Sequence, residues 1–432
     1  MCSTGAAGSS AGGASSAGGS SVGGAAGSTT TSGGAAGSAG APSGGAGTGG
    51  AACVDTGMRP SGRSEMMSIV DEKRKRLVLF GGDDGLPKMC NPAPHVIGEL
   101  WTYDLGCKQF TQAMPATGPG PRARGSAAYD AKGDRMLVFG GRVSAGSSTY
   151  TLYDEVWSLA LDTLGWTKLE TTGTGPSART NAVMAVDPLT NDLVMFGGNT
   201  SASGLSFAPQ GDVWTLHLDS LAWEKKTQTG AAPKARLFHA GALDPKTGRF
   251  FVYGGGGANA FQGPFYGDLW ALSPDRTTWT QVAAMGTGPG NRIWSTLAFD
   301  PGADEVILFG GHDDGAVGNQ NDTWTLGGGA STWTQVVPPE VEKTKPAGFC
   351  AFPVDFTTAN TAAPDRRSAQ AAGFDAATRT LHVFGGKTDC GLIDDTWTFD
   401  AAAGTWSRDV KAAAGESCVR GDHPEQCTSL CN

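Results

Sequence analysis

The segment RMLVFGG, Arg135 to Gly141, is a short apolar run that ends in two glycines. Four consecutive apolar residues are typical of a β-strand buried on both faces, and paired glycines mark a tight turn or a close backbone approach. The chain repeats the phrase as LVLFGG, LVMFGG, FFVYGG, VILFGG and LHVFGG, with the second glycine at Gly82, Gly198, Gly255, Gly311 and Gly386. Six copies of one phrase predict a repeat protein in which every repeat contains this strand.

Four other features recur in the same order around each glycine pair. An Arg lies 18 residues before the first glycine, at Arg63, Arg122, Arg179, Arg236, Arg292 and Arg367. An Asp lies 10 residues before it, at Asp71, Asp130, Asp187, Asp244, Asp300 and Asp375. A Trp follows the glycines, at Trp101, Trp157, Trp214, Trp270, Trp324 and Trp397. Another aromatic residue comes nine residues after that Trp, at Phe110, Trp166, Trp223, Trp279, Trp333 and Trp406.

Each unit therefore holds four short β-like runs separated by turn-rich stretches. One four-stranded blade cannot bury both of its faces, whereas six blades around an axis can. The sequence predicts an all-β fold, a six-bladed β-propeller.

The order of Arg, apolar-Gly-Gly, Trp and nine-spaced aromatic residue resembles the kelch repeat from Arg63 to Trp406. The resemblance implies a propeller like that of the galactose oxidase superfamily, in which the first strand of each blade lines the central channel. We predict two regions: a low-complexity flexible tether over 1–52, and the propeller over 53–432 with a Cys-rich tail over 407–432.

Length variation is confined to one face of the predicted propeller. The constant spacings fix the turn between strands one and two and the turn between strands three and four. The connection from strand two to strand three varies, with 20, 17, 17, 16, 14 and 12 residues from the first glycine to the Trp. In an antiparallel blade these connections share a face with the links between blades. Loops that vary on a repeated frame are typical binding sites, so we predict a binding surface on this face.

The six arginines at constant register are interpreted as parts of the frame, bonded to backbone carbonyls or to an acidic neighbour between blades. The residues after them differ between repeats, and the loops of repeats four and five add further aromatic and polar groups. The candidate ligand-binding residues are Glu65, Arg124, Asn181, Phe238, His239, Trp294, Phe261, Phe265, Tyr266, His312 and Asp313. Exposed aromatic rings beside polar groups suit a sugar ring or a peptide. The alternative is that these rings pack their loop onto its own blade.

These features favour a binding or scaffold module that engages a protein or a glycan. A sugar isomerase in the channel mouth is an alternative, because Glu65 and Arg124 offer the carboxylate and Arg that similar sialic-acid mutarotases require. A structural component of a cell-surface assembly is a second alternative, and outside such an assembly we expect a monomer. The sequence contains no H-E-x-x-H, G-x-S-x-G occurs only in the low-complexity run, at 8–12 and 19–23, and no set matching the copper ligands of galactose oxidase is evident. No catalytic residue is therefore assigned.

Acidic clusters follow two of the glycine pairs, as Asp83-Asp84-Gly85 and as His312-Asp313-Asp314-Gly315. Carboxylate oxygens near Asp313 and Asp314 would suit Ca²⁺. However, the spacing matches no EF-hand loop, and Asp-Gly is ordinary turn chemistry. The turn is the favoured interpretation, and neither a metal nor another cofactor is predicted.

The formal net charge of −9 argues against nucleic acid as a partner. The chain begins Met1-Cys2-Ser3-Thr4 and continues into a run of Gly, Ala, Ser and Thr. This start resembles a mature bacterial lipoprotein in which Cys2 is the lipidated residue. The resemblance implies an extracytoplasmic location, in the periplasm or at the cell surface, as an outer-membrane lipoprotein that contacts the membrane only through its lipid anchor.

Eight cysteines remain besides Cys2, and none lies in a C-x-x-C pattern. An even number without metal-ligand spacing favours disulfides formed in an oxidising compartment. We predict that Cys90 pairs with Cys107 and attaches the long loop of the first repeat to its blade, and that Cys350 pairs with Cys390 on the variable face. The other four are predicted to clamp the two termini, with three pairings left open among Cys53, Cys418, Cys427 and Cys431.

Overall fold

The structure is a computed structural model that describes residues 53, 57–85, 94–146, 148–260, 262–283, 286, 288–313, 318–340, 360–388 and 391–413. The chain divides into two compact units, Met1–Cys53 and Val54–Asn432, and the strands of the described residues lie in the second unit. No helix among the described residues is long and apolar enough to cross a membrane.

The second unit is built from six four-stranded blades, each an antiparallel meander. The first strands are β1 (Met67–Asp71), β5 (Ser126–Asp130), β11 (Val183–Asp187), β15 (Ala240–Leu243), β20 (Thr296–Asp300) and β25 (Ala371–Asp375). The second strands are β2 (Arg76–Phe80), β6 (Arg135–Phe139), β12 (Asp192–Phe196), β16 (Phe250–Tyr253), β21 (Glu305–Asp313) and β26 (Thr380–Phe384). The third strands are β3 (Leu100–Asp104), β9 (Val156–Ala160), β13 (Val213–His217), β17 (Leu269–Leu272), β22 (Asn319–Gly327) and β29 (Thr396–Asp400). The fourth strands are β4 (Gln109–Ala113), β10 (Trp166–Leu169), β14 (Ala222–Lys226), β18 (Trp279–Ala283), β23 (Thr334–Val337) and β30 (Thr405–Val410).

Six further strands lie in the connections. They are β7 (Arg142–Gly146), β8 (Thr149–Leu152), β19 (Arg292–Ile293), β24 (Arg367–Ser368), β27 (Lys387–Thr388) and β28 (Gly391–Leu392). β7 and β8 form a separate hairpin in the second blade. β19, β24, β27 and β28 join the fifth blade in one eight-stranded sheet, so the loops of the last two blades are tied together by backbone pairing.

The propeller closes into a ring, as the repeats predict. Each first strand contacts the first strand of the next blade, and β25 contacts β1. The Ser68 hydroxyl donates to the Ala372 carbonyl at 2.8 Å and accepts the Ala372 N–H at 2.9 Å, which links the first blade to the last. The Lys108 ammonium group, 2.6 Å from Asp409, makes a second link between these blades.

The core lies between neighbouring blades, which is why the second strands read as continuous apolar runs rather than alternating ones. β6, the RMLVF segment, is buried from its second residue onward. The nine-spaced aromatic residue of each blade packs on a second-strand ring of the preceding blade. These pairs are Trp166 with Phe80, Trp223 with Phe139, Trp279 with Phe196, Trp333 with Tyr253, Trp406 with Phe309, and Phe110 with Phe384. The fixed aromatic position is therefore an inter-blade contact.

The six arginines at constant register, the frame arginines, are buried in the frame rather than available to a ligand. Arg292, for example, donates to the Gly310 carbonyl at 3.1 Å and to Asp322 at 2.6 and 3.1 Å, and Asp322 also accepts the Trp324 indole N–H at 2.7 Å. Each frame arginine has such an acidic partner: Glu99, Glu155, Asp212, Asp268, Asp322 and Asp395. These carboxylates belong to the same repeat as their Arg, so the prediction of an acidic neighbour between blades was wrong in that detail. Backbone bonds such as Gly198 N–H to the Arg236 carbonyl, 3.0 Å, link the blades instead.

Candidate functional site

A pocket of about 150 Å³ lies on the channel axis, at the face that carries the variable loops. Its lining comes from two consecutive positions in every repeat, the second and third residues after each frame arginine. The second-position residues, here called the pocket ring, are Glu65, Arg124, Asn181, Phe238, Trp294 and Ala369. The third-position residues are Met66, Gly125, Ala182, His239, Ser295 and Gln370. The structure therefore brings together six of the predicted site residues, the five non-alanine members of the pocket ring and His239.

The backbone of the pocket ring turns sharply and links blade to blade. All six residues have φ between 54° and 60°, a left-handed conformation that is uncommon outside glycine. Their peptide groups are joined by hydrogen bonds of 2.8–3.1 Å: Glu65 N to Ala369 O, Arg124 N to Glu65 O, Asn181 N to Arg124 O, Trp294 N to Phe238 O, and Ala369 N to Trp294 O. The main chain thus fixes the ring, and its side chains are left to differ in chemistry.

A second set of residues borders the pocket ring; the sequence analysis named two of its members, His312 and Asp83, but did not identify the set. It consists of the first residue after each Gly-Gly pair, here called the mouth ring: Asp83, Arg142, Asn199, Gly256, His312 and Lys387. Each pairs in antiparallel register with the residue that follows a frame arginine, as Ala123 does with Arg142. Fixed spacing from the glycines was the signal that could have identified these positions.

Glu65 and Arg124 form the charged side of the pocket. Arg124 donates from Nε and Nη2 to the two carboxylate oxygens of Glu65, both at 2.6 Å. Arg142 Nη2 lies 3.8 Å from Glu65 Oε2. Burial alone would raise the pKa of Glu65, but the charges of Arg124, Arg142 and Lys387 outweigh burial and lower this pKa to about 2. Glu65 is therefore an ionised carboxylate at neutral pH.

Phe238 and Trp294 form the aromatic side, with ring centroids 4.4 Å apart. The Arg124 guanidinium carbon lies 5.2 Å from the Phe238 centroid and 5.5 Å from that of Trp294. Phe207 packs edge-on against Phe238 at 5.6 Å, and the Phe238 side chain is only 2% exposed. The expectation of an exposed ring is therefore wrong for Phe238, because neighbouring side chains cover it.

Four lining residues carry buried polar atoms that make no protein hydrogen bond. They are the side-chain oxygens of Asn181, Ser295 and Gln370 and one ring nitrogen of His239, whose other ring nitrogen faces the Phe196 backbone. Burial and the charge of Arg236 lower the pKa of His239 to about 3, against a smaller opposing effect of the Phe196 backbone. His239 is consequently neutral at pH 7. Buried polar atoms without partners are costly, so a ligand or bound water that hydrogen-bonded to them would be favoured.

The described rings of the fourth-repeat loop pack against residues of the fourth and fifth repeats. Phe265 is 1% exposed and lies in an apolar cluster with Leu237 and Ile293, so the expectation of an exposed ring is also wrong here. The Tyr266 ring lies under the guanidinium of the frame arginine Arg236, with 4.7 Å between the guanidinium carbon and the ring centroid. Phe261 lies outside the described residues.

His312 and Asp313 lie at the end of β21 and take part in local hydrogen bonds. His312 Nδ1 is 3.2 Å from Asn319 Oδ1, and burial lowers the pKa of His312. Asp313 accepts the Gly318 N–H at 2.9 Å and the Gln320 side-chain N–H at 2.8 Å. In the described part of the chain, no three His, Cys, Asp or Glu residues are arranged to hold a metal ion, and Asp314 lies outside it.

Cys53 and Cys107 are each disulfide-bonded. The pairings predicted for Cys107 and for Cys350 with Cys390 stay predictions. The remaining cysteines lie outside the described residues: Cys2, Cys90, Cys350, Cys390, Cys418, Cys427 and Cys431.

Three curated proteins illustrate the relatives of this chain. Acyl-CoA-binding domain-containing protein 5 of Arabidopsis thaliana is 27% identical over 181 residues, 42% of this chain and 25% of that protein. Host cell factor 1 of Homo sapiens is 26% identical over 313 residues, 65% of this chain and 14% of that protein. Kelch domain-containing protein 2 of Bos taurus is 26% identical over 266 residues, 57% of this chain and 62% of that protein. The chain thus spans less than two thirds of the length of these relatives.

The solved structure of YjhT matches with a TM-score of 0.58 at 13% sequence identity, covering 81% of this chain and 98% of that one. At this identity the similarity is one of fold. A family model described as the KLHDC2/KLHL20/DRC7 Kelch-repeats domain matches residues 52–188, 91–302 and 188–355. These matches together extend over more than half of the sequence and cover the first five repeats described above, and the chain therefore belongs to the kelch-repeat family.

Proposed function

We propose that this chain is a binding module whose variable-loop face engages a protein, with one polar side chain of the partner entering the axial pocket. The observation that carries the proposal is the set of buried polar atoms without protein partners on Asn181, His239, Ser295 and Gln370. They come from four different blades and line one small cavity. A kelch propeller is typical of protein-binding and scaffold modules, which agrees with this use of the face.

The aromatic side of the pocket favours a protein over a glycan. A sugar ring stacks on an accessible aromatic face. The Phe238 and Trp294 rings are in tilted contact, and the Arg124 guanidinium, which is itself held by Glu65, lies over both of them. A cavity of about 150 Å³ is also smaller than the roughly 300–1,000 Å³ typical of small-molecule pockets. It suits a single inserted side chain.

Ala369 offers a substitution that fills the pocket without straining the backbone. At the same left-handed ring position, blades four and five carry Phe238 and Trp294. Ala369→Phe therefore introduces a ring that this conformation already accepts elsewhere in the molecule. Ala402→Phe, at an exposed residue after β29 on the opposite face, is the matched control.

The test compares the proteins captured from a cell extract by the unmodified chain and by the two variants, using quantitative mass spectrometry. The proposal expects at least one partner to be bound by the unmodified chain and by Ala402→Phe and lost with Ala369→Phe. A glycan array run in parallel decides the alternative. If the chain binds a glycan and Ala369→Phe abolishes that binding, the ligand is a glycan and not a protein. If the unmodified chain and Ala369→Phe capture the same proteins, the pocket is not the binding site.

A sugar mutarotase or isomerase is the second candidate, because Glu65 and Arg124, the pair expected for such chemistry, do meet in the pocket. Their arrangement weighs against proton transfer. Both Glu65 oxygens accept hydrogen bonds from Arg124, and the pKa of Glu65, about 2, is far from neutrality. A general acid or base works best when its pKa is near the working pH. NMR measures whether the chain accelerates the interconversion of sugar anomers above the rate without protein. An acceleration that is lost with Glu65→Gln would favour the enzyme.

We further propose an extracytoplasmic location. The disulfide bonds of Cys53 and Cys107 support it, because disulfides persist mainly in oxidising compartments. The anchor at Cys2 rests on the sequence alone. Cells that produce the native gene product or its Cys2→Ser variant are labelled with a fatty acid, and incorporation of the label into the protein is measured. The anchor predicts label in the native protein and none in the variant, and an unlabelled native protein would contradict it.

A further inference from the structure

Among the described residues, the unpartnered atoms of the pocket lining are mainly hydrogen-bond acceptors. Gln370 uses its side-chain nitrogen in a 2.8 Å hydrogen bond to Thr296 Oγ1, so the amide is fixed and its oxygen is left over. The side-chain oxygen of Asn181 is also buried and finds no donor in the described part of the chain. An amide oxygen cannot donate, so both atoms need a ligand that carries N–H or O–H groups.

His239 adds a third acceptor to the lining. The Phe196 backbone acts to raise the pKa of His239, which is the effect of a carbonyl that accepts an imidazole N–H. Burial and the charge of Arg236 outweigh this effect, so the ring is neutral at pH 7 and carries a single N–H. Because that N–H faces Phe196, the other ring nitrogen presents a lone pair, and it has no partner among the residues that the structure describes.

The charges around the cavity disfavour both an anion and a cation. A carboxylate would offer only acceptors to these acceptors, and it would meet the ionised Glu65 in a cavity of about 150 Å³. An ammonium group would meet the Arg124 guanidinium, which lines the same cavity and already donates to both Glu65 oxygens. The charge of Arg236, which lowers the pKa of His239, opposes a cation in the same way. These charges favour a neutral donor.

We propose that the inserted side chain carries a primary carboxamide, as Asn and Gln do, and that its nitrogen donates to the oxygens of Asn181 and Gln370. The inference rests on the proposed function and names the chemistry of the inserted side chain. Asn181 and Gln370 belong to the third and sixth blades, on opposite sides of the ring. The two N–H bonds of a carboxamide diverge and reach acceptors on two sides, and its oxygen suits the Ser295 hydroxyl. A Ser or Thr hydroxyl has one O–H and would leave one of the two oxygens unpaired.

Four blocked amino acids, each with an N-acetyl and a C-terminal methylamide group, are the probes. Their side chains are that of Gln, that of Gln with the amide nitrogen dimethylated, that of Glu and that of Lys. Each is titrated against the full chain and followed by ligand-observed NMR. The expected result is saturable binding of the Gln probe and binding weaker by about tenfold or more for the others. The dimethylated and Glu side chains lack the N–H donors, and Lys brings a charge beside Arg124.

Asn181→Leu removes one acceptor, keeps the size of the side chain, and should weaken binding of the Gln probe by about tenfold. Asn191→Leu is the matched control. Asn191 has φ of 59° against 57° for Asn181, and it lies in the same blade, in the turn between β11 and β12 on the opposite face. Strain from a left-handed Leu is therefore common to both variants, and Asn191→Leu should leave binding unchanged.

The inference is overturned if any other probe binds as tightly as the Gln probe, if the Gln probe shows no saturable binding, or if Asn181→Leu leaves its affinity unchanged. These outcomes are distinguishable from failure of the proposed function. If Ala369→Phe abolishes partner capture while Asn181→Leu preserves it, the binding module stands and only the carboxamide assignment falls. If Ala369→Phe leaves capture unchanged, the proposed function itself falls.

Discussion

Replacing Glu65 by Gln tests the charge balance of the pocket directly. The substitution keeps the size of the side chain and removes the charge that Arg124 and Arg142 face. In the native protein the pKa of Glu65 is about 2, below its ordinary value of 4.5, so the ionised form stabilises the fold. The variant leaves two buried guanidinium groups close together without that charge, and we expect it to unfold more easily.

The magnitude follows from the pKa difference. A shift from 4.5 to about 2 corresponds to about 3 kcal/mol of stabilisation at neutral pH. The Glu65 side chain is 11% exposed, so solvent screening reduces this value little. Because the folded-state pKa is depressed, the stabilisation is present above the unfolded-state pKa and is lost as the pH falls from about 4.5 towards 2. At pH 3 about 1.5 kcal/mol of it remains.

Urea unfolding followed by Trp fluorescence at pH 7 and pH 3 measures the effect. We expect Glu65→Gln to lower the free energy of unfolding by about 3 kcal/mol at pH 7 and by about 1.5 kcal/mol at pH 3. Glu170→Gln, at an exposed carboxylate, is the control and should change it by less than about 0.5 kcal/mol at either pH. An equal loss at the two pH values would refute the electrostatic explanation, since protonation of Glu65 would then have no effect.

Three further predictions address the frame and the pocket. Gly198→Ala should cost about 2 kcal/mol or more in unfolding experiments, because φ is 100° and a Cβ would lie 2.7 Å from the Thr180 carbonyl oxygen. Gly230→Ala, with φ of 77° and open space, should cost about 1 kcal/mol, and equal costs would contradict the close-approach argument. Asp322→Asn removes the charge that pairs with buried Arg292 and should cost about 3–5 kcal/mol by the same measurement, whereas a cost below about 1 kcal/mol would argue against a structural role for the pair. Nitrogen NMR of the imidazoles should show His239 neutral down to about pH 4, given its pKa of about 3, and titration near pH 6.5 would contradict its burial in the pocket lining.

The fold could be predicted because its determinants repeat at constant spacing. Trp166 and its counterparts pack on the preceding blade, and Arg292 and its counterparts bind a carboxylate and a backbone carbonyl. Each contact needs one residue type at one register, which leaves a visible periodic signal. The acidic partner of the frame arginines was wrongly placed between blades. The sequence of a repeat does not show which of its carboxylates lies next to its Arg in the folded blade.

The positions of the pocket ring could be predicted, whereas its interactions could not. Counting from each frame arginine identified Glu65, Arg124 and Phe238 as members of one set. Their contacts join different blades: the Glu65–Arg124 pair spans 59 positions, and Arg124 also reaches across the axis to Phe238. Burial of Phe238 follows from those contacts and carries no signature in its own repeat. The exposed-ring expectation failed for this reason.

The hydrogen-bonded pocket ring separates the stability of the fold from the chemistry of the site. Backbone groups such as the Arg124 N–H and the Glu65 carbonyl join the blades, and these bonds are available to any residue that tolerates the left-handed conformation. Acidic, basic, amide, aromatic and methyl side chains all occupy the ring in this one molecule. Substitutions at the ring should therefore alter binding more than stability, except at Glu65 and Arg124, where charge pairing couples the two. Ala369→Phe and Glu65→Gln probe the two sides of that argument, and similar losses of stability in both would contradict it.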